Sequence, residues 1–151
     1  MNKNLMILLS FVLFVLAGCS GESELEGKSL GMTSFDPAVS EEEQEGADVE
    51  FTSTMPVFDF TSADEVTLMQ NGNEYSGDYT LEENNLSVNL EDDGATLRLD
   101  FVEFEETPDE YYSYTGKIEN GELDDSEGSS QLSNIVNDFG MGETYIFLEE
   151  N

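Results

Sequence analysis

From Val49 onward the apolar positions repeat with a period of two. In NEYSGDYTL, Tyr75, Gly77, Tyr79 and Leu81 share one face, while Glu74, Ser76, Asp78 and Thr80 share the other. In LSVNLE, Leu86, Val88 and Leu90 point one way, and in ATLRLDF so do Leu97, Leu99 and Phe101. Such alternation predicts antiparallel strands buried on one face only. Asn71-Gly72, Asn84-Asn85, Asp93-Gly94 and Asn120-Gly121 punctuate these runs. Asn-Gly and Asp-Gly tolerate positive φ at both positions and so predict two-residue hairpin turns. The strands therefore follow one another as a meander.

After Phe101 the parity flips, because Val102 and Phe104 become the apolar pair. A bulge or sharp bend there restores inward pointing. YYSYTGKIE then places Tyr112, Tyr114, Gly116 and Ile118 on one face. Upstream, VEFTSTMPVFDFT predicts one or two strands broken near Pro56, and EVTLMQ another. In SSQLSNIVNDFG the period changes: Leu132, Ile135, Val136 and Phe139 fall at helical spacing. Ser129 or Ser130 can cap that helix, Gly140 can stop it, and Asp124, Asp125 and Glu127 precede it, where a helix dipole favours anions. TYIFLEE, apolar on both faces, predicts a last strand paired inside the sheet or beneath the helix. The expected fold is mainly β: an antiparallel meander closing into a small barrel over residues 49–151, with one C-terminal helix and a final strand.

Residues 20–48 lack this pattern. They are poor in apolar residues and include the charge run Ser40 to Gly46, SEEEQEG. Together with Cys19 they are expected to form an acidic, disordered tether over residues 19–48. Before them, Leu5 to Ala17 is apolar except for Ser10 and follows a single cation, Lys3. That run of about 13 residues suits a secretory signal and falls short of the roughly 20 that span a bilayer. It ends in Leu16-Ala17-Gly18-Cys19. This resembles the lipobox of bacterial lipoprotein precursors. The resemblance implies a signal peptide over 1–18, cleavage between Gly18 and Cys19, and acylation of the Cys19 thiol. It further implies anchoring to the cell membrane or outer membrane, facing periplasm or exterior. Each buried acyl methylene contributes about 0.8 kcal/mol, so two or three chains hold a protein firmly. Ser20, where an aspartate would favour inner-membrane retention, points to the outer membrane if the host is Gram-negative.

Composition narrows the chemistry. Four Lys and Arg against 35 Asp and Glu give a formal net charge of −31. Nucleic acid is excluded as a direct partner, since its phosphates would be repelled. The acidity fits a solvated surface suited to high salt, or attraction for cationic partners or calcium. In either case self-repulsion destabilises the fold at low ionic strength. The chain has no histidine, and Cys19 is its only cysteine. The exported part therefore has no internal disulfide, and nucleophile–base sites built on histidine or a free thiol are impossible. No glycine-rich phosphate loop occurs. Carboxylate pairs for glycoside hydrolysis are too easily found among 35 acids to be informative. No enzymatic activity and no cofactor are expected.

Two stretches invite a calcium reading. NLEDDGATLRLD sets Asn89, Glu91, Asp93, Gly94 and Asp100 near calcium-loop positions. Its first, third and last ligands are the wrong types, however, and the same residues alternate as a hairpin turning at Asp93-Gly94. ELDDSE, Glu122 to Glu127, offers a looser cluster that equally reads as a solvated loop before the helix. The sequence leaves the metal question unknown.

A second resemblance covers about 45 residues, from FDFTSADEVTLMQ through LRLDF. Phe58, Phe60, Val66, Leu68, Gly77, Tyr79, Leu81, Leu86, Val88 and Leu90 follow the strand–turn–strand, G-x-Y-x-apolar and L-x-apolar-x-apolar pattern of small lipocalin-like domains of bacterial lipoproteins. The resemblance implies a lipocalin-like barrel. A small apolar ligand could then be lined by Tyr75, Tyr79, Tyr112 and Tyr114, residues that read equally as plain core. Two functions are carried forward: an envelope lipoprotein that binds a small apolar ligand or serves an accessory role, or an acidic module that captures a cationic protein, as an inhibitor does. The first predicts a cavity and salt-insensitive affinity, the second a filled core and affinity that falls with salt.

Overall fold

Alternating side chains close the sheet on itself. In the computed structural model, which describes residues 23–34, 51, 54–107, 112–125, 128 and 130–149, eight strands run β1 Ser29–Ser34, β2 Val57–Phe60, β3 Glu65–Gln70, β4 Asn73–Glu82, β5 Asn85–Asp92, β6 Ala95–Glu106, β7 Tyr114–Asp124 and β8 Thr144–Glu149. Each pairs antiparallel with the next, and β8 returns to β1, giving a closed up-and-down barrel. A barrel has no free edge, and eight strands leave an interior just wide enough for side chains to fill. The inward set is Leu30 and Met32, Phe58 and Phe60, Val66 and Leu68, Tyr75 and Tyr79, Leu86, Val88 and Leu90, Leu97, Leu99 and Phe101, then Tyr114, Ile118, Tyr145 and Phe147, all buried. Rings meet across the lumen: Phe58 lies edge-on to Phe101 at 6.0 Å, and Phe101 to Phe147 at 5.7 Å.

The first strand corrects the sequence reading. Residues 23–34, assigned to the tether, belong to the barrel. Leu30 pairs opposite Phe58 and Met32 opposite Phe147, so β1 is the strand that joins β2 to β8. The two apolar residues of this short segment find their burial only against distant partners. The rest of the expected tether, the signal segment, Gly18 and Cys19 lie outside the described residues.

Two turns form where expected: Asn71-Gly72 at φ 52° and 79°, and Asp93-Gly94 at φ 47° and 84°. The next differs by one residue. Glu82 pairs with Asn85, so the turn is Glu83-Asn84, with Glu83 at φ 54°. Asn120-Gly121 is no turn. It lies inside β7, with Asn120 opposite Asp100 and Gly121 opposite Leu99. The register slips there because Glu119 is an extra residue between the Asp100–Asn120 and Phe101–Ile118 pairs. A second bulge in β6 compensates it: Glu103 and Phe104 together oppose Gly116, with Glu103 at φ 54°. This is the device expected after Phe101. It turns Phe104 inward, where its ring stacks on Tyr114 at 5.1 Å.

The helix α1, Leu132–Asp138, crosses one end of the barrel between β7 and β8. Leu132 and Ile135 are buried under it, and Phe139 follows in extended conformation. The N-cap position is Gln131 and not the expected serine, and it makes no side-chain cap bond; Ser130 Oγ, one residue earlier, accepts the Leu132 amide at 3.0 Å, and Ser129 lies outside the described residues. Asp92 Oδ2 accepts from Ser130 Oγ at 2.9 Å and from the Gln131 amide at 3.1 Å, tying the helix start to the end of β5. Tyr145 and Phe147 of β8 point into the core, and the strand pairs on both sides.

Candidate functional site

Both ends of the barrel are covered. At one end α1 lays Leu132 and Ile135 against the core. At the other the turn at Glu24–Gly27 inserts Leu25, which is 0% exposed. That turn is held to the end of β2: the Gly27 amide donates to Phe60 O at 2.7 Å, and the Phe60 amide to Lys28 O at 2.9 Å. Lys28 Nζ then reaches Glu149 Oε2 at 2.9 Å and stands 5.8 Å from the Tyr114 ring centre. The Glu149 hydrogen bond raises the Lys28 pKa, and burial offsets part of the rise.

The four expected ligand-site tyrosines do not converge. Tyr75 sits near the helix end. Tyr79, four residues further along β4, is about 13 Å away at the strand rise. Tyr79 packs edge-on against Phe60 at 4.8 Å, and its hydroxyl donates to Ser62 O at 3.0 Å. Tyr114 is stacked on Phe104. Tyr112, half-buried before β7, lies in the β6–β7 connection, where Thr107 Oγ1 donates to its carbonyl at 2.8 Å. Tyr79 and Tyr114 are therefore core residues, as the plainer reading had it. Burial pushes the phenol pKa of Tyr75, Tyr79 and Tyr114 up, with Asp92 adding to the effect on Tyr75.

Two clefts lie at the helix-end rim. One cleft of about 530 Å³ opens between the end of β1, the Met55-Pro56 segment and α1. Another, of about 310 Å³, lies between the β3–β4 turn and α1. Gln70, Asn71 and Asp138 line both. Gln70 is the residue sequence reasoning missed. It continues the inward series Val66, Leu68, Gln70, a polar side chain at an apolar position just before a turn, and it is 6% exposed. Its Nε2 donates to Asp138 Oδ2 at 3.2 Å, while its buried Oε1 has no hydrogen-bond donor. The parity of EVTLMQ is the signal that would have found it.

Outside, charge accumulates in rows across the strands. Asp78, Asn89, Arg98 and Glu122 stand side by side on β4 to β7, and next to them Ser76, Glu91, Thr96 and Asp124. The Arg98 guanidinium is taken by Asp100, at 2.9 Å to Oδ1. Burial alone would raise the Asp100 pKa, but hydrogen bonds from Ser87 and Arg98 outweigh it and hold the carboxyl below the usual range. Lys28 and Arg98 are thus both spent on carboxylates of the same barrel. Among the described residues no group of three or more metal-ligating side chains stands together. Asp93-Gly94 makes its hairpin, and Asp125 accepts the Gly128 and Ser130 amides at 2.7 and 3.1 Å.

These features define a closed, eight-stranded up-and-down barrel with a core of buried apolar side chains, covered at both ends. No protein-family model, curated protein or solved structure matches the chain.

Proposed function

We propose that the chain is a bacterial envelope lipoprotein, anchored through acylated Cys19, whose barrel is a non-catalytic module that captures a cationic protein on its acidic outer face. The observation that carries this reading is the apolar core, covered at both ends, beneath a surface on which carboxylates far outnumber cations. Leu25 and the helix residues Leu132 and Ile135 cover the two ends of the barrel, so the mouth through which a lipocalin would admit cargo is covered whichever end it is. That weighs against an interior apolar ligand and leaves the exterior to do the recognising. A formal charge of −31 favours cationic partners and rapid, salt-dependent encounter. The lipobox-like Leu16-Ala17-Gly18-Cys19 supports the anchor, and the lack of histidine and of a second cysteine supports a non-enzymatic role.

The test compares two charge-reversed proteins of equal net charge, with a lysine-rich peptide as probe. One carries Glu91→Lys, Glu122→Lys and Asp124→Lys on the β5–β7 face, and the other Glu65→Lys, Glu83→Lys and Glu105→Lys elsewhere. Selective loss of binding in the first, with wild-type affinity falling steeply between about 0.05 and 0.5 M NaCl, is expected. Equal loss in both, or salt-insensitive affinity, overturns the reading. The anchor is checked separately: Cys19→Ser should move the protein from the membrane fraction to the soluble one.

A further inference from the structure

Gln70 is the polar exception in an apolar inward face, and only half of its amide is satisfied. A carboxylate accepts and does not donate, so the nitrogen must be the atom turned to Asp138. The oxygen is thereby left buried without a donor, and buried polar groups are normally paired. Oε1 is closed to solvent, so the Gln70 side chain must turn toward the cleft to meet a donor, and that donor displaces no existing partner of the oxygen. The same side chain borders both rim clefts, and the larger, at about 530 Å³, is of a size that holds small ligands. Its lining contains no Lys or Arg. It offers the Asp138 carboxylate beside an apolar wall that includes Met32, Met55 and Phe139. Donors are demanded, anions are disfavoured, and methylenes are accommodated.

We propose that this rim cleft is a site for a primary alkylammonium group, whose N–H groups donate to Gln70 Oε1 and the Asp138 carboxylate while its methylenes lie along Met32, Met55 and Phe139. A lysine side chain and a free amine share this chemistry. The site stands on Gln70, Asp138 and the cleft they line, at the barrel rim, and uses none of the β5–β7 face residues Glu91, Glu122 and Asp124, so either proposal can fail without the other.

The experiment is an NMR titration of the full, isotope-labelled chain in zwitterionic detergent, following the Gln70 side-chain amide and the Met32 and Met55 methyl signals. The probes are n-butylammonium, 1-butanol, butyrate and a blocked Gly-Lys-Gly peptide. Saturable shifts at these three residues with butylammonium or the lysine peptide, and not with butanol or butyrate, are expected. Tighter binding of the peptide identifies a lysine side chain as the natural occupant, and tighter binding of the amine a free ligand. Asp138 is exposed, so Asp138→Asn should fold normally and weaken amine binding about tenfold, the loss of one hydrogen bond to a charged group. Gln70→Leu should do the same; if it does not fold, Asp138→Asn decides. No saturable shift up to about 10 mM amine, equal shifts with butanol, or unchanged affinity in Asp138→Asn overturns the assignment.

Discussion

Gly77 of β4 lies against the backbone of Asn89 in β5, so close that a β-carbon there would fall within bonding range of the Asn89 carbonyl oxygen and 3.0 Å from Leu90 Cα. Gly77 occupies an inward position between Val66 and Leu90. The obstacle is the backbone of β5, and a paired central strand of a closed barrel has little room to move. Gly77→Ala should therefore cost about 3 kcal/mol or more, or prevent folding. Gly27→Ala is the comparison. Its φ is 80° and nothing lies within 4 Å, so only backbone strain of about 1 kcal/mol is incurred. Urea unfolding of the two variants separates close approach from strain.

Leu25 decides whether the barrel begins before β2. A leucine in a tether can become alanine without consequence. A leucine that is 0% exposed at the end of a core cannot, because its removal loses transfer energy and leaves a cavity. Leu25→Ala should lower the unfolding free energy by about 2–5 kcal/mol. Removal of the Tyr79 hydroxyl at the same end, in Tyr79→Phe, should cost only about 1 kcal/mol, since it deletes one hydrogen bond to Ser62 O and keeps the ring on Phe60.

The two segments show which parts of the fold were legible. Strands β3 to β6 could be read because each carries its own alternation and its own hairpin turn, so local pattern and final partner agree. β1 could not. SLGMTS holds one apolar pair, Leu30 and Met32, among polar neighbours, and becomes a strand only because β2 and β8 present Phe58 and Phe147 across long stretches of chain. Asn120-Gly121 misled for the converse reason: a local turn signal was overridden by the long β6–β7 ladder and absorbed beside a bulge. The tyrosines were assigned the right burial, Tyr112 excepted, but alternation says which face a residue takes and not how far along the barrel it lies. Gln70 was visible as a polar residue on the inward parity. Its pairing with Asp138 was not, because it depends on where α1 crosses the rim.

Glu103 offers a test of the bulge that reconciles the two parities. A non-glycine residue at φ 54° adopts a left-handed conformation that disfavours a side chain, and bulges of this kind commonly carry glycine. Glu103 is exposed, so its side chain contributes little packing. Glu103→Gly should leave stability unchanged or raise it by up to about 1 kcal/mol, whereas a glycine in regular strand lowers it by about the same amount. Thermal unfolding gives the sign. A clear loss would mean that Glu103 is ordinary strand and that Phe104 reaches the core another way.

Asp100 connects the outer face to pH. Its carboxyl accepts from Ser87 Oγ at 2.7 Å and from Arg98 Nε at 2.9 Å, and its pKa lies below the unfolded value of about 3.9. A depressed carboxyl pKa stabilises the fold fully above the unfolded value, and that contribution disappears as pH falls through the folded one. Asp100→Asn should therefore cost about 1 kcal/mol at pH 7, a modest figure because Arg98 is half exposed. The difference between wild type and variant should hold from pH 7 to about pH 5 and shrink below about pH 4. Absolute stability will not follow this curve, since protonating an excess of acids also relieves repulsion across a chain of net charge −31. Subtracting the variant removes that common background. Urea is the denaturant to use, because guanidinium would screen the charges under test. A wild-type-minus-variant difference that is flat down to pH 2 would mean that the Ser87–Asp100–Arg98 cluster contributes through packing and not through its charge.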